Sequence, residues 1–153
     1  MPVQPEKNPS PSLPRRLAAI FYDCLLLLAL WLAANALILA LSGGMLAAPE
    51  RPDWLLYAQR TALIGVTFGF FAWFWVHGGQ TLGMRVWRLR LYALHGGPVE
   101  PKQAALRLLA APFSIAVLGL GYIWVLIDRE RRTWHGRISG TRLVLLPQAA
   151  QKR

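Results

Sequence analysis

The chain has 153 residues, 55% of them hydrophobic and 16% charged, with a positive mean hydropathy. That excludes a disordered chain, which needs few apolar and many charged residues, and a single cysteine excludes a disulfide scaffold. A formal charge of +10 points to nucleic acid, an anionic membrane surface or loop charges that orient a membrane protein; how the charge is distributed along the chain decides among them.

Residues 1–14 are polar and carry Pro2, Pro5, Pro9 and Pro11, with Pro14 at their end, which predicts a disordered tail. From Leu17 to Leu41 the only charged side chain is Asp23. About 20 apolar residues span a bilayer, so the sequence predicts a first membrane helix over about 15–41. A signal peptide is the competing reading, but its apolar region runs to only about 15 residues. Cys24, inside the run, reads as a small buried apolar residue. A loop with Gly43, Gly44, Pro49 and Pro52 follows. A second apolar run predicts a helix over about 54–77, with Trp54 and Tyr57 near one end and Trp73 and Trp75 near the other, as in interfacial belts.

Gly78 to Gly83 reads as a loop. Alternation from Val86 to Tyr92, with Trp87, Leu89 and Leu91 on one face, predicts a strand over about 86–93, ended by His95-Gly96-Gly97-Pro98. A third apolar stretch over about 102–128 is broken by Pro112, Gly119 and Gly121, and a second strand is expected over about 141–146, before a short tail over 147–153.

Positive residues near membrane helices stay cytoplasmic. Lys7, Arg15 and Arg16 place the N-terminal tail inside; the loop over 42–53 holds only Arg51, against Glu50 and Asp53. A third full span would put the C-terminal arginines outside. A hairpin turning near Gly119-Leu120-Gly121 would keep them inside and let the two strands pair; a turn packed against protein is tolerated in a membrane. Both arrangements stay open. The fold expected is therefore an α-helical membrane protein with two transmembrane helices, a broken third apolar helix and a small cytoplasmic strand pair. The lipid bilayer is the expected partner, and nothing resembles a nucleic-acid module.

Asp23 is the strongest functional signal, because a carboxylate within the membrane costs about 2.5–3.5 kcal/mol on insertion scales and marks ion or proton pathways. Seven residues separate it from Arg16, two turns along one helical face, so pairing with Arg16 or with a cation on another helix is the structural alternative. Asn35, Asp128 and His135 are further pathway candidates. Asn35 also suits a helix–helix hydrogen bond, and His135 lies in an interfacial stretch dense in charge. Gly65 and Gly69 form a GxxxG that favours close helix packing and a homo-oligomer. There is no metal-ligand spacing, P-loop or GxSxG, so neither an enzyme nor a cofactor is expected.

Several ordered motifs resemble the RDD family of small bacterial membrane proteins. Pro14-Arg15-Arg16-Leu17-Ala18-Ala19 followed by Asp23 resembles the family's first helix. Gly79-Gln80-Thr81-Leu82-Gly83-Met84-Arg85 with Leu89-Arg90-Leu91 resembles its central signature. Gly96-Gly97-Pro98 and Ala105-Leu106-Arg107 follow in order, and Trp134-His135-Gly136-Arg137-Ile138-Ser139-Gly140-Thr141 resembles the closing motif. The likeness covers residues 13–146. It implies that the family arginine falls on Arg16 or Arg15 and the first aspartate on Asp23. The second aspartate of the family would fall on Gly136, a departure for which Asp128 is the nearest substitute. The resemblance also implies a multi-pass protein of the bacterial inner membrane with a cytoplasmic N-terminus. Its implied role is transport of a small solute or ion, including sodium–proton exchange, with a monovalent cation or proton as ligand; a non-transporting module for oligomer or partner assembly is the alternative.

Overall fold

The computed structural model describes residues 9–116, 124–126, 128 and 132–147. Helix α1 runs over Leu13–Leu41 and α2 over Asp53–Gly78, joined by a turn that includes a short 3₁₀ segment at Met45–Ala47. Both helices are long and apolar enough to cross a membrane. Pro14 suits the first turn of α1, where its missing N–H has no partner to lose. Gly79, in the left-handed region at φ 68°, closes α2 by donating to Trp75 O. Most of α1 and α2 presents large apolar side chains outward, among them Phe21, Leu32, Leu37, Ile64 and Trp73. Bare apolar surface of this kind fits a lipid solvent. Two polar contacts tie the pair together: Trp31 Nε1 donates to Thr67 Oγ1 at 3.0 Å, and Gln59 Nε2 donates to Asn35 Oδ1.

After α2 come α3 (Leu82–Val86), β1 (Leu89–Ala93), α4 (Pro101–Ala116), a 3₁₀ turn at Trp124–Leu126, α5 (Trp134–Ile138) and β2 (Thr141–Leu145). The two strands form one antiparallel ladder with Leu91 opposite Leu143. The core lies where this sheet meets the start of α1, the end of α2 and α4; it gathers Ala19, Trp75, Met84, Leu89, Leu91, Val99, Ala104 and Leu108.

The two helix–strand units match one another. Thr81 and Thr133 each cap a five-residue helix, their hydroxyls accepting from Met84 N at 3.2 Å and Gly136 N at 3.3 Å. Seven residues after each threonine the chain turns left-handed, at Arg88 (φ 58°) and Gly140 (φ 62°), and a strand begins on the next residue. Leu94 N donates to Gly140 O at 2.9 Å, and Leu146 N donates to Arg88 O at 2.8 Å. The residues paired at the centre of the ladder are the middle residues of the two strands, so an approximate two-fold axis passes through the sheet. Helix α1 packs on α3 of the first unit and α4 on α5 of the second.

Three expectations change. The polar tail gives way to fixed structure from Pro9: Leu145 N donates to Pro9 O at 3.0 Å, and Pro11 is fully buried. The first strand starts at Leu89 rather than Val86, because Thr81 caps a helical turn and Arg88 takes the left-handed conformation that ends it. The third apolar stretch is helical over Pro101–Ala116 but forms a 3₁₀ turn, not α-helix, at Trp124–Leu126. The turn expected near Gly119-Leu120-Gly121 lies outside the described residues, as do residues 1–8 and 148–153.

Candidate functional site

The buried residues of α1 are Arg16, Ala19 and Asp23, one stripe at spacings of three and four along the helix. That stripe faces α3. Asp23 Oδ2 accepts from Thr81 Oγ1 at 2.5 Å, and Oδ1 accepts from Gly83 N at 2.9 Å. Both oxygens are therefore met by α3 and its cap, not by Arg16. Asp23 is 4% exposed; it sits under the sheet-bearing part of the fold rather than alone among lipid-facing residues. Gly83 makes this possible. A Cβ built on it would stand 2.4 Å from Ala19 O and 2.8 Å from Asp23 Oδ1, so only glycine lets α3 approach α1 this closely.

Arg16 Nε donates to Pro11 O at 3.1 Å, so the buried proline end of the N-terminal segment orients the guanidinium. Arg107, on α4, donates from Nη1 to Thr141 Oγ1 at 3.0 Å and lies over the Trp75 ring, 5.3 Å from its centroid. Thr141 Oγ1 also shares a 2.7 Å hydrogen bond with Ser139 Oγ. Gln103 reaches Gly140 O at 3.3 Å, and these contacts seat α4 on the turn between α5 and β2.

Arg16, Asp23 and Arg107 line one cavity of about 260 Å³ between α1, α4, α5 and the sheet. Arg16, Asp23, Arg107, Thr133 and His135 are its polar residues, and Leu27, Phe71, Trp75, Leu89, Leu108 and Leu143 are among its apolar ones. His135 is 3% exposed. Burial lowers its pKa from 6.5 to about 2, and the charges of Arg107 and then Arg16 act in the same direction, so the imidazole is neutral at physiological pH.

Of the sequence candidates, Arg16, Asp23 and His135 come together here. Asn35, Asp128, Gly65 and Gly69 do not line the cavity. Asn35 accepts from Gln59 and donates to Trp31 O at 2.8 Å, a tie between the two long helices. Asp128 pairs with Arg137 Nη2 at 2.7 Å and accepts from Arg132 N at 2.8 Å, so it does not substitute for a second aspartate at the cavity. Gly65 and Gly69 have open space where a Cβ would stand, so α1 does not use the GxxxG for packing. Cys24, expected to be buried, is exposed. Gly136 lies beside Arg107, with Nη1 3.5 Å from where a Cβ would stand. Sequence reasoning missed Arg107 and Thr81 as site residues. Thr81 had a signal in Thr133, since each stands eight residues before a strand and caps a short helix; Arg107 had none.

The family model described as the RDD family matches residues 10–140. No curated protein matches the chain, and no solved structure matches it.

Proposed function

The chain belongs to the RDD family, and we propose that it binds a small solute in the cavity between α1, α4, α5 and the sheet and carries it across the membrane. The observation behind this reading is convergence: buried polar side chains from α1, α4 and the capped end of α5 meet at one cavity with apolar walls. Polar groups buried near a membrane are costly and are kept where they do something. Positive loop charge argues for an N-terminus and sheet on the cytoplasmic side, and the family resemblance argues for the bacterial inner membrane. A re-entrant third apolar segment is the arrangement that keeps the C-terminal arginines there.

Sodium–proton exchange at Asp23 is the less favoured form of the transport reading. A hard cation takes oxygen ligands, whereas both Asp23 oxygens are engaged by the donors Thr81 Oγ1 and Gly83 N. A second reading is a non-transporting module that self-associates. The open faces of Gly65 and Gly69 favour it, since small residues let membrane helices approach closely.

Purified protein in liposomes separates these readings. Under sodium, potassium or lithium gradients, solute binding predicts no cation-driven proton flux in wild type. Flux in wild type that Asp23→Asn abolishes, with both proteins folded, would favour exchange. In parallel, thermal unfolding with a panel of small acids, amides and amines should show saturable stabilisation of wild type that is lost in Ala111→Phe, which fills the cavity.

A further inference from the structure

We infer that the cavity takes a small amphipathic anion, a monocarboxylate whose acid group lies between Arg16 and Arg107 and whose apolar body lies against the hydrophobic wall. The inference rests on the solute-binding reading above and names its ligand class.

The polar groups that line the cavity are mostly donors. Arg16 and Arg107 each bring a guanidinium, which has five N–H donors, no acceptor and a fork that matches a carboxylate. Trp75 adds an indole N–H that is buried and has no acceptor among the described residues. Buried polar groups normally find a partner, and an accepting ligand atom would supply one here. The one carboxylate on the wall, Asp23, already has both oxygens on α3. Thr133 Oγ1 already accepts from Gly136 N. His135 is uncharged. Among the described lining residues, the fixed charges are therefore two positive and one negative.

An amine would meet two guanidiniums against one carboxylate, each of whose oxygens already accepts from α3 or its cap. A sugar would meet few acceptors for its hydroxyls. A carboxylate supplies acceptors and negative charge together, and the leucine and phenylalanine wall suits an apolar body. A volume of about 260 Å³ falls below the 300–1,000 Å³ of pockets for drug-sized molecules, which suits a short chain or a single ring rather than a two-chain lipid. The two arginines come one from each half of the approximate two-fold: Arg16 from α1, which packs on the first unit, and Arg107 from α4, which packs on the second. The anion thus bridges the units.

The test uses the full chain in phosphatidylcholine nanodiscs, titrated with hexanoate and benzoate, with hexanamide and benzamide as neutral isosteres, and with hexylamine. Thermal unfolding and tryptophan fluorescence are the readouts. The acids should bind saturably and at least tenfold more tightly than their amides, and hexylamine should not bind. Arg16→Gln and Arg107→Gln should each erase the preference for acid over amide. Because Arg107 also holds Thr141, the wild-type ligand series decides alone if that variant does not fold. Competition by palmitate would place the source of the carboxylate in the bilayer, and its absence would place it in the aqueous phase; both keep the anion assignment. Amides or hexylamine binding as well as the acids would overturn the anion assignment and leave solute binding standing. No binding by any compound would overturn both.

Discussion

Gly83→Ala should unfold the contact between α1 and α3 while leaving the two long helices intact. The added Cβ would stand 2.4 Å from Ala19 O and 2.8 Å from Asp23 Oδ1, against about 3.5–4.0 Å for ordinary carbon contacts. Ala19 O belongs to a helix backbone, so α3 must move. Overpacking of this kind costs about 1–3 kcal/mol. Moving α3 also stretches the 2.9 Å bond from Gly83 N to Asp23, and an unmade buried hydrogen bond costs about 1–3 kcal/mol. Alanine's better helix propensity returns about 1 kcal/mol. The net loss is about 1–5 kcal/mol, which in a chain of this size lowers the melting temperature by roughly 2–20 °C. Thermal unfolding in nanodiscs measures it. Gly65→Ala and Gly69→Ala, which meet open space, serve as controls and should melt with wild type. A Gly83→Ala protein that also melts with wild type would refute the close approach of α3 to Asp23.

Asp23→Ala leaves Thr81 Oγ1 and Gly83 N without their acceptor and should cost about 2–4 kcal/mol; Asp23→Asn keeps one acceptor oxygen and should cost clearly less, as denaturation of both variants will show. His135 gives a pH signature. Its pKa is about 2 folded and 6.5 in the unfolded chain, so the unfolded state takes up the proton first. Its contribution is whole above pH 6.5 and falls by about 1.4 kcal/mol per unit below it. Wild type should thus lose about 2 kcal/mol more than His135→Gln between pH 7.5 and 5, and parallel pH curves would contradict a buried neutral imidazole. Asn35→Ala removes one tie between α1 and α2 and should cost about 0.5–1.5 kcal/mol, read by the same unfolding assay. Gly136→Asp would set a carboxylate beside Arg107 and should weaken hexanoate binding at least tenfold in a titration.

The two long helices were legible in the sequence because hydropathy over 20 or more residues reports directly on the solvent they face. The strand pair was legible from alternation, but its start was not. Val86 and Trp87 fit the alternating pattern equally well as helix end or strand start, and only the Thr81 cap and the left-handed Arg88 decide between them. Asp23 was found because a charge inside an apolar run stands out; its partners were not, since Thr81 and Gly83 are common residues nearly sixty positions away. Arg107 lies early in an apolar helix with no sequence neighbour to mark it as a site residue, whereas in the fold it is buried at 7% exposure against Trp75 and Thr141. The approximate two-fold does have a trace in the sequence, with Thr81 and Thr133, Arg85 and Arg137, Arg90 and Arg142, and Leu91 and Leu143 at equal offsets, but identities this sparse stand out only once the two caps fix the alignment.

The most direct measurement is the ¹⁹F spectrum of 4-fluorobenzoate added to the protein in nanodiscs. The cavity account predicts a shifted or broadened line with wild type that excess hexanoate restores and that Ala111→Phe, with the cavity filled, does not produce. Identical lines for wild type, the filled variant and empty nanodiscs would contradict it.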